Sequence, residues 1–345
     1  MGGCELGREG AGEPVGPGGE APGTVAEKGI ENELKRIRTK TDLKMITKEL
    51  KEKIVAAMAE ARPMFGGSDA KFAKWLGVSG AQYSRVKNGD VEQVLSETAW
   101  ISIARQLEVN LGGAPEWVTA RTPVYEFIEA QLKVCQEEAL SALLCDLSDI
   151  GKTWTAKVYA KTHRNVAYID CSLAKGKTLL IRQLARAFGL DSSGKLGDVE
   201  ANMIYYLKTL EKPLIVLDEA GDLHYEAWLE VKALWNATEG ACGWYMMGAD
   251  GLKAKIQRSI ECKKVGYTEI FSRFGKRYGK VVEEGEPGRE MMRMTAAMIA
   301  KANQPVAGDD KASAADAARV VRKCMGDDGM PSLRRIYKEL RKGVR

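Results

Sequence analysis

The chain has 345 residues, 45% of them hydrophobic and 29% charged, with a formal net charge of +5. That is the make-up of a globular protein with room for two or three domains. No apolar run approaches the ~20 residues that cross a bilayer, and the N-terminus lacks the apolar centre of a signal peptide, so no membrane partner is expected. The cysteines, at positions 4, 135, 145, 171, 242, 262 and 324, form no C-x-x-C pair, and the histidines are His163 and His224 alone. This usage argues for a reducing compartment and against a disulfide frame, a zinc site or a histidine metal centre.

Residues 1–30 hold ten glycines and three prolines with almost no bulky side chains. Such a stretch cannot bury enough surface to fold, so 1–44 read as an extension that is disordered and then helical. From about Ile30 to Arg62 the chain is rich in Lys, Glu, Leu and Ala, and helical spacing appears at Leu50, Ile54, Ala57 and Met58. Residues 45–111 form the next unit. Ser68 starts a short helix, Gly77-Val78-Ser79 makes a turn, and Ser79 starts a second helix that runs to about Lys87 before Asn88-Gly89-Asp90 stops it. A longer helix follows, with Trp100, Ile103, Ala104 and Leu107 on one face. The small Ala73, the turn glycine and a polar second helix have the helix-turn-helix layout, in which Gln82, Ser84, Arg85 and Lys87 face DNA. The competing reading is a helical packing unit whose second helix touches protein.

Gly112-Gly113-Ala114-Pro115 reads as a linker, and Thr122-Pro123 as a helix start leading to about Glu138. An alternation of strands and helices then begins. Strands are expected at Ala139–Cys145, Asn165–Cys171, Pro213–Asp218, Gly243–Gly248 and roughly Arg277–Val282, with helices at 152–163, 176–189, 198–210, 225–238 and 250–261 between them. This is an α/β domain with a mostly parallel sheet, over 112–284. From 285 to 345 the pattern is all helical, with helices at 288–302, 312–325 and 332–342.

Two motifs carry chemistry. Pro213-Leu214-Ile215-Val216-Leu217-Asp218-Glu219 reads as a buried parallel strand that delivers two carboxylates to the C-terminal edge of the sheet. Gly151-Lys152-Thr153 follows the first strand. A Lys-Thr pair at a strand-to-helix turn and an Asp-Glu pair on another strand are the parts of a nucleotide–Mg2+ site. Lys152 neutralises phosphate, Thr153 and Asp218 hold the metal, and Glu219 orients a water. The nucleotide-cradling stretch is Ser148, Asp149, Ile150, Gly151, Lys152, Thr153 and Trp154. It departs from G-x-x-x-x-G-K-[ST] in two ways: Asp146 takes the place of the first glycine, and Asp149 adds a second acid. At an effective dielectric of about 20, two unit charges ~4 Å apart repel by about 4 kcal/mol, so either these carboxylates turn away or nucleotide affinity is reduced. A second copy, Gly176-Lys177-Thr178, follows a polar loop and reads as a plain helix start.

The positive charge is uneven. Between Lys253 and Lys280 there are nine Lys or Arg against two Glu, and between Leu333 and Arg345 six against one. Such clusters suit a polyanion, with a solvated face as the alternative. Lys253, Lys255, Arg258, Lys263 and Lys264 are the candidates for contacts to a DNA backbone.

The order of these motifs resembles that of AAA+ ATPases of the phage Mu transposition protein B type. The features are the N-terminal helix-turn-helix, the strand ending Asp218-Glu219-Ala220-Gly221-Asp222-Leu223, Met247-Gly248 closing the fourth strand, Phe271-Ser272-Arg273, and Ser332-Leu333-Arg334 before a terminal helix. The resemblance implies an α/β P-loop NTPase (AAA+) core preceded by a helix-turn-helix domain and followed by a helical lid. It also implies ATP and Mg2+ as cofactors, slow hydrolysis stimulated by DNA or a partner, ATP-dependent oligomers or filaments on double-stranded DNA, delivery of that DNA to a transposase, and a place in the bacterial cytoplasm. On the same basis Arg273, with Arg277 in reserve, acts on a neighbouring subunit's nucleotide, or else is a surface or DNA-facing arginine. Asp250 senses the γ-phosphate where Ala249 cannot, or else caps a helix. Arg334 closes over the nucleotide, or else belongs to the basic C-terminal cluster. Two other readings remain: a non-catalytic DNA-binding regulator that uses the ATPase fold to oligomerise, and a helicase-loading ATPase.

Overall fold

In a computed structural model the described residues are 46–65, 67–111, 117–304 and 310–342. The expected N-terminal extension and the glycine-rich linker at 112–115 lie outside them. From Lys48 onward the described residues belong to one compact unit.

Among the described residues four helices come first: α1 (Lys48–Met64), α2 (Asp69–Trp75), α3 (Gly80–Lys87) and α4 (Glu97–Gln106). Their starts are set by side chains that accept otherwise unmet backbone N–H groups. Ser68 caps α2 by accepting from Lys71 N, and Ser96 caps α4 by accepting from Ala99 N. Ser79 and Gln82 form a reciprocal capping box at α3. Phe65, Phe72, Trp75 and Tyr83 pack as one aromatic group, with ring centroids 5.2–5.6 Å apart, and anchor these helices to one another.

This helical module is seated on the rest of the unit. The Phe65 ring lies where a Cβ on Gly189 would come within 2.0 Å, and Gly189 has φ +71°, so both sterics and backbone call for glycine there. Arg164 Nε donates to Pro63 O at 2.6 Å, and Lys74 pairs with Asp191 at 2.9 Å.

Next come α5 (Pro123–Glu137), β1 (Ser141–Cys145), α6 (Lys152–Thr162), β2 (Val166–Asp170), α7 (Lys177–Ala187), α8 (Leu196–Thr209), β3 (Leu214–Asp218), α9 (Tyr225–Ala237), β4 (Gly243–Gly248), α10 (Asp250–Glu261) and α11 (Tyr267–Arg273). The strands form one parallel sheet in the order β1-β4-β3-β2. The central strands β3 and β4 are buried along their whole length, which is why they read as continuous apolar runs. Helices cover both faces. Leu180, Leu184, Met203, Trp228 and Ile256 pack on one; Ile128, Leu132, Ala156 and Tyr159 pack on the other. The architecture is a parallel α/β sheet layered between helices, as expected.

The expected fifth strand at 277–282 does not form. One bridge remains, between Leu144 and Gly279. The chain cannot extend it, because the next free N–H groups, those of Val281 and Val282, donate to the Asp146 carboxylate at 2.5 and 2.9 Å instead of to β1. The short helix α11 lies in a stretch with no helix among the expectations, too brief to show helical periodicity.

The chain ends in α12 (Glu286–Ala302), α13 (Asp310–Lys323) and α14 (Leu333–Lys342). Ala296, Ala300, Val321, Ile336 and Leu340 form their shared core. Trp117 packs against Tyr337 of α14 with centroids 4.8 Å apart, and Asn303 clasps Val118 through both its amide groups. The segment that enters α5 is thereby held against the terminal helices. Among the described residues no helix is long and apolar enough to cross a membrane.

Candidate functional site

β1 ends at Cys145, and the chain turns through 146–151 into α6. The turn uses two left-handed backbone positions, Asp149 with φ 62° and Gly151 with φ 101°. Gly151 is the N-cap of α6 and offers no side chain, so the first N–H groups of that helix stay available to an anion.

The two acids in this loop do not face a common centre. Asp146 is fully buried, and its carboxylate accepts from three backbone N–H groups: Leu147 at 2.7 Å, Val281 at 2.5 Å and Val282 at 2.9 Å. It is a clamp between the loop and the segment that stands where a fifth strand was expected. Asp149 turns the other way. It accepts from Ser332 Oγ at 2.8 Å and from Arg334 N at 3.2 and 3.3 Å, which meets a free N–H at the start of α14. Of the two alternatives raised by these acids, turning away is the one adopted. Ile150 is buried in the core below the loop, and Ser148 is exposed.

Lys152 is buried, and its ammonium donates to Asp146 O at 2.9 Å and to Leu147 O. Burial pulls its pKa below the usual lysine value, while the nearby Asp146, Glu219 and Asp218 carboxylates oppose that shift. Thr153, the next residue, reaches β3, and its Oγ1 donates to Asp218 Oδ2 at 2.7 Å. Asp218 is buried and also accepts from Tyr168 Oη at 2.8 Å and from Glu219 N at 2.9 Å. A hydroxyl and a carboxylate that converge beside a helix N-terminus are the hard oxygen donors a Mg2+ ion takes, with phosphate within reach of the same helix end. The donor set therefore fits a Mg2+-nucleotide.

Residues 135–256 match the family model described as an AAA domain. Over this segment, about a third of the chain, the protein is similar to AAA-type P-loop ATPase domains. A domain of this kind binds nucleotide, usually with Mg2+. A search of curated proteins matched none of them. The matched span takes in the phosphate loop, Asp218, Glu219 and Asp250, and stops short of Arg273 and Arg334.

Within the matched segment Glu219 follows Asp218 in a left-handed conformation, φ 48°, which turns the chain away from the strand. The residue is exposed, yet its carboxyl is held above the usual glutamate value by partial desolvation and then by the Asp218 charge beside it. Asp250 is the first residue of α10, and Ala249 holds the N-cap position without a side-chain bond. The capping role considered for Asp250 is thus not taken; it stands in the first turn, where a negative charge suits the helix dipole. It borders a cavity of about 290 Å³ lined also by Cys145, Leu147, Lys253, Tyr278, Lys280 and Glu284. Trp154 donates its indole N–H to Thr119 Oγ1 at 3.1 Å, which ties α6 to the segment entering α5.

Arg334 is brought to the loop: its backbone N–H binds Asp149, and its Nε lies 3.8 Å from the same carboxylate. Arg273 is not. Its Nε donates to Asn236 Oδ1 at 2.7 Å and its guanidinium lies 5.2 Å from the Trp235 ring. Trp235 in turn bonds Ser141 at the start of β1, the opposite end of the strand from the phosphate loop. Lys177, from the second Gly-Lys-Thr, pairs with Glu230 at 2.6 Å and starts α7 as expected.

The DNA-facing candidates divide. Gln82 is spent on structure: Oε1 accepts from Ser79 N and Nε2 donates to Val94 O. Arg85 pairs with Asp90 and Lys87 with Asp69, both on the surface, where such pairs are weak. Lys255 donates to Gly221 O and Leu223 O, both at 2.6 Å, and burial lowers its pKa; its ammonium holds the turn after β3 rather than facing solvent. Ser84, Lys253, Arg258 and Lys263 are exposed, and Lys264 lies over the Tyr225 ring at 4.2 Å.

Tyr168 was absent from the sequence-based site. The available signal was its face: in β2 the buried Ala167 and Ile169 alternate with Val166, Tyr168 and Asp170, and Asp170 stands opposite Asp218 in the parallel register. Burial and the Asp218 charge push its phenol far above the ordinary value, so it remains a donor.

Proposed function

We propose that the protein is an ATP-dependent DNA-binding switch of a Mu-like transposition system. ATP with Mg2+ brings copies of the chain together on double-stranded DNA, that DNA is offered to a transposase, and hydrolysis ends the state. The observation that carries the ATP part is the convergence of Thr153 Oγ1 on Asp218 Oδ2 at 2.7 Å, beside the open N-terminus of α6. Thr153 and Asp218 would hold Mg2+, which supplies charge neutralisation to the phosphates. Lys152 binds phosphate oxygens, exchanging two loop carbonyls for them. Glu219 orients the attacking water and accepts its proton. Arg334, hinged at Asp149, closes from the terminal helices, and Arg273 acts across to a neighbouring copy. The DNA and transposase parts are supported by the motif order and by the exposed cations Lys253, Arg258, Lys263 and Lys264, with Arg85, Lys87 and Ser84 as weaker contributors.

Electron microscopy with duplex DNA is the test of the whole reading. Filaments are expected with a slowly hydrolysed ATP analogue and absent without it. Backbone contacts displace counter-ions, so DNA affinity falls steeply between 50 and 200 mM salt, by about 10² or more if five or more phosphates are engaged. DNA binding indifferent to both nucleotide and salt counts against it.

The role of Glu219 has its own signature in the dependence of kcat/KM on pH, which reports the free protein. The competent form is the carboxylate, and its pKa is raised from 4.5. Activity is therefore lost, as pH falls, at a higher pH than an ordinary glutamate would give. The Lys152 ammonium is needed charged and its pKa lies below 10.5, so the alkaline limb is drawn downward as well. An acid limb at or below pH 4.5 would remove Glu219 from the proton-accepting role.

A further inference from the structure

We propose that Tyr168 is a positioning residue for Asp218, and that Lys157 and Glu108 extend its hold into the helical module. The inference rests on the ATP-switch reading above and adds to it residues that no nucleotide motif contains.

Asp218 is the carboxylate on which the Mg2+ end of the site depends, and its orientation is set by three donors. Thr153 and Tyr168 share Oδ2 at 2.7 and 2.8 Å, and the Glu219 N–H takes Oδ1 at 2.9 Å. Thr153 would leave this set on giving its hydroxyl oxygen to a metal, and Tyr168 would then be the side-chain donor that keeps the carboxylate from rotating. Groups of this kind, which touch a ligand rather than the metal, commonly change metal affinity by about 10- to 100-fold.

The ring of Tyr168 is itself held. Lys157, one turn beyond Thr153 on α6, places its Nζ 5.5 Å from the ring centroid. The same ammonium lies 3.6 Å from Glu108 Oε1, and Lys161, one turn further, lies 2.7 Å from Glu108 Oε2. Glu108 lies two residues beyond the end of α4, in the helical module, and takes a left-handed backbone, φ 53°, to present its carboxylate. Partial burial works against that charge, and the two lysines outweigh it, holding the carboxyl below its ordinary pKa. A continuous path therefore runs from the module through Glu108, Lys157 and Tyr168 to Asp218. Any load on the module that shifts its seat on α6 is felt at the carboxylate.

Full-length wild type, Tyr168→Phe and Glu108→Gln are compared by the fluorescence of an environment-sensitive ATP analogue, titrated with and without Mg2+, with thermal melting alongside. Tyr168→Phe is expected to leave Mg2+-free nucleotide affinity unchanged and to weaken the apparent Mg2+ affinity about tenfold. Glu108→Gln, a surface change that does not threaten the fold, is expected to move Mg2+ affinity in the same direction by about two- to threefold. If both variants titrate with Mg2+ as wild type does, or lose Mg2+-free and Mg2+-bound affinity equally, the positioning role is overturned while the ATP reading stands. Should Tyr168→Phe fail to fold, Glu108→Gln decides alone. A wild type without Mg2+-dependent nucleotide binding overturns the ATP reading itself, and the positioning role with it.

Discussion

Asp146→Gly brings the phosphate loop closer to the glycine-rich pattern and is expected to destabilise the protein by about 3–5 kcal/mol. The carboxylate is sealed from water and serves three backbone N–H groups, those of Leu147, Val281 and Val282. Glycine would leave the two buried donors of Val281 and Val282 unmet, at about 1–3 kcal/mol each before relaxation, would free the half-buried Leu147 N–H, and would loosen the backbone by up to about 1 kcal/mol more. Asp146→Asn keeps one oxygen acceptor and loses the charge, so its cost falls between wild type and Asp146→Gly. Denaturant or thermal melting followed by circular dichroism measures both. Proteolysis should show 279–282 loosened, since the bridge to β1 and the apolar packing of Val281 and Val282 would then hold it without the carboxylate. An unchanged melting midpoint in Asp146→Gly refutes the clamp.

Lys152→Ala is expected to give the reverse: a folded protein with kcat/KM for ATP lower by about 10²–10³-fold, the usual effect of removing a group that meets charge developing in the transition state. The cost of burying the ammonium offsets its bonds to the loop carbonyls of Asp146 and Leu147, so Lys152→Ala is expected to cost less stability than Asp146→Gly. Asp218→Asn should match it in Mg2+-supported turnover while also disturbing Thr153 and Tyr168, which donate to the carboxylate. The measurements are steady-state ATP hydrolysis beside a melting curve for each variant. Hydrolysis that survives Lys152→Ala within threefold would place the reaction elsewhere. The two residues lie six apart, one at the start of the loop and one at the first position of α6, and the two variants are expected to separate a role in the fold from a role in hydrolysis.

The loop shows how far local pattern carries. Gly151-Lys152-Thr153 was legible because a left-handed glycine before a helix and a cation at its first turn are local requirements. The strand Leu214–Asp218 was legible because burial on both faces leaves an unbroken apolar run. The helix starts at Ser68, Ser79 and Thr122 were legible because a capping oxygen acts three residues along. The purposes of Asp146 and Asp149 were not, because their partners lie 135 and 183 residues away in sequence. A charge in a motif reads as a charge near the ligand until its partners are known. Gln82 and Lys255 misled in the same way: a polar side chain on an amphipathic helix reads as free, and only packing reveals the carbonyl or cap that consumes it.

What the sequence alone determined is the parallel α/β core, the Gly-Lys-Thr turn into α6 and the strand that ends in Asp218, all of which follow from hydrophobic period and from contacts within a few residues. The tertiary structure decided which charges are available: it buried Asp146 beneath the loop, gave Asp149 to the start of α14, parked Arg273 against Trp235 and set Tyr168 on Asp218. The reason is physical. Periodicity reports which face of an element is buried, whereas a polar atom's role depends on the one partner that reaches it through space, and chain distance holds no record of that.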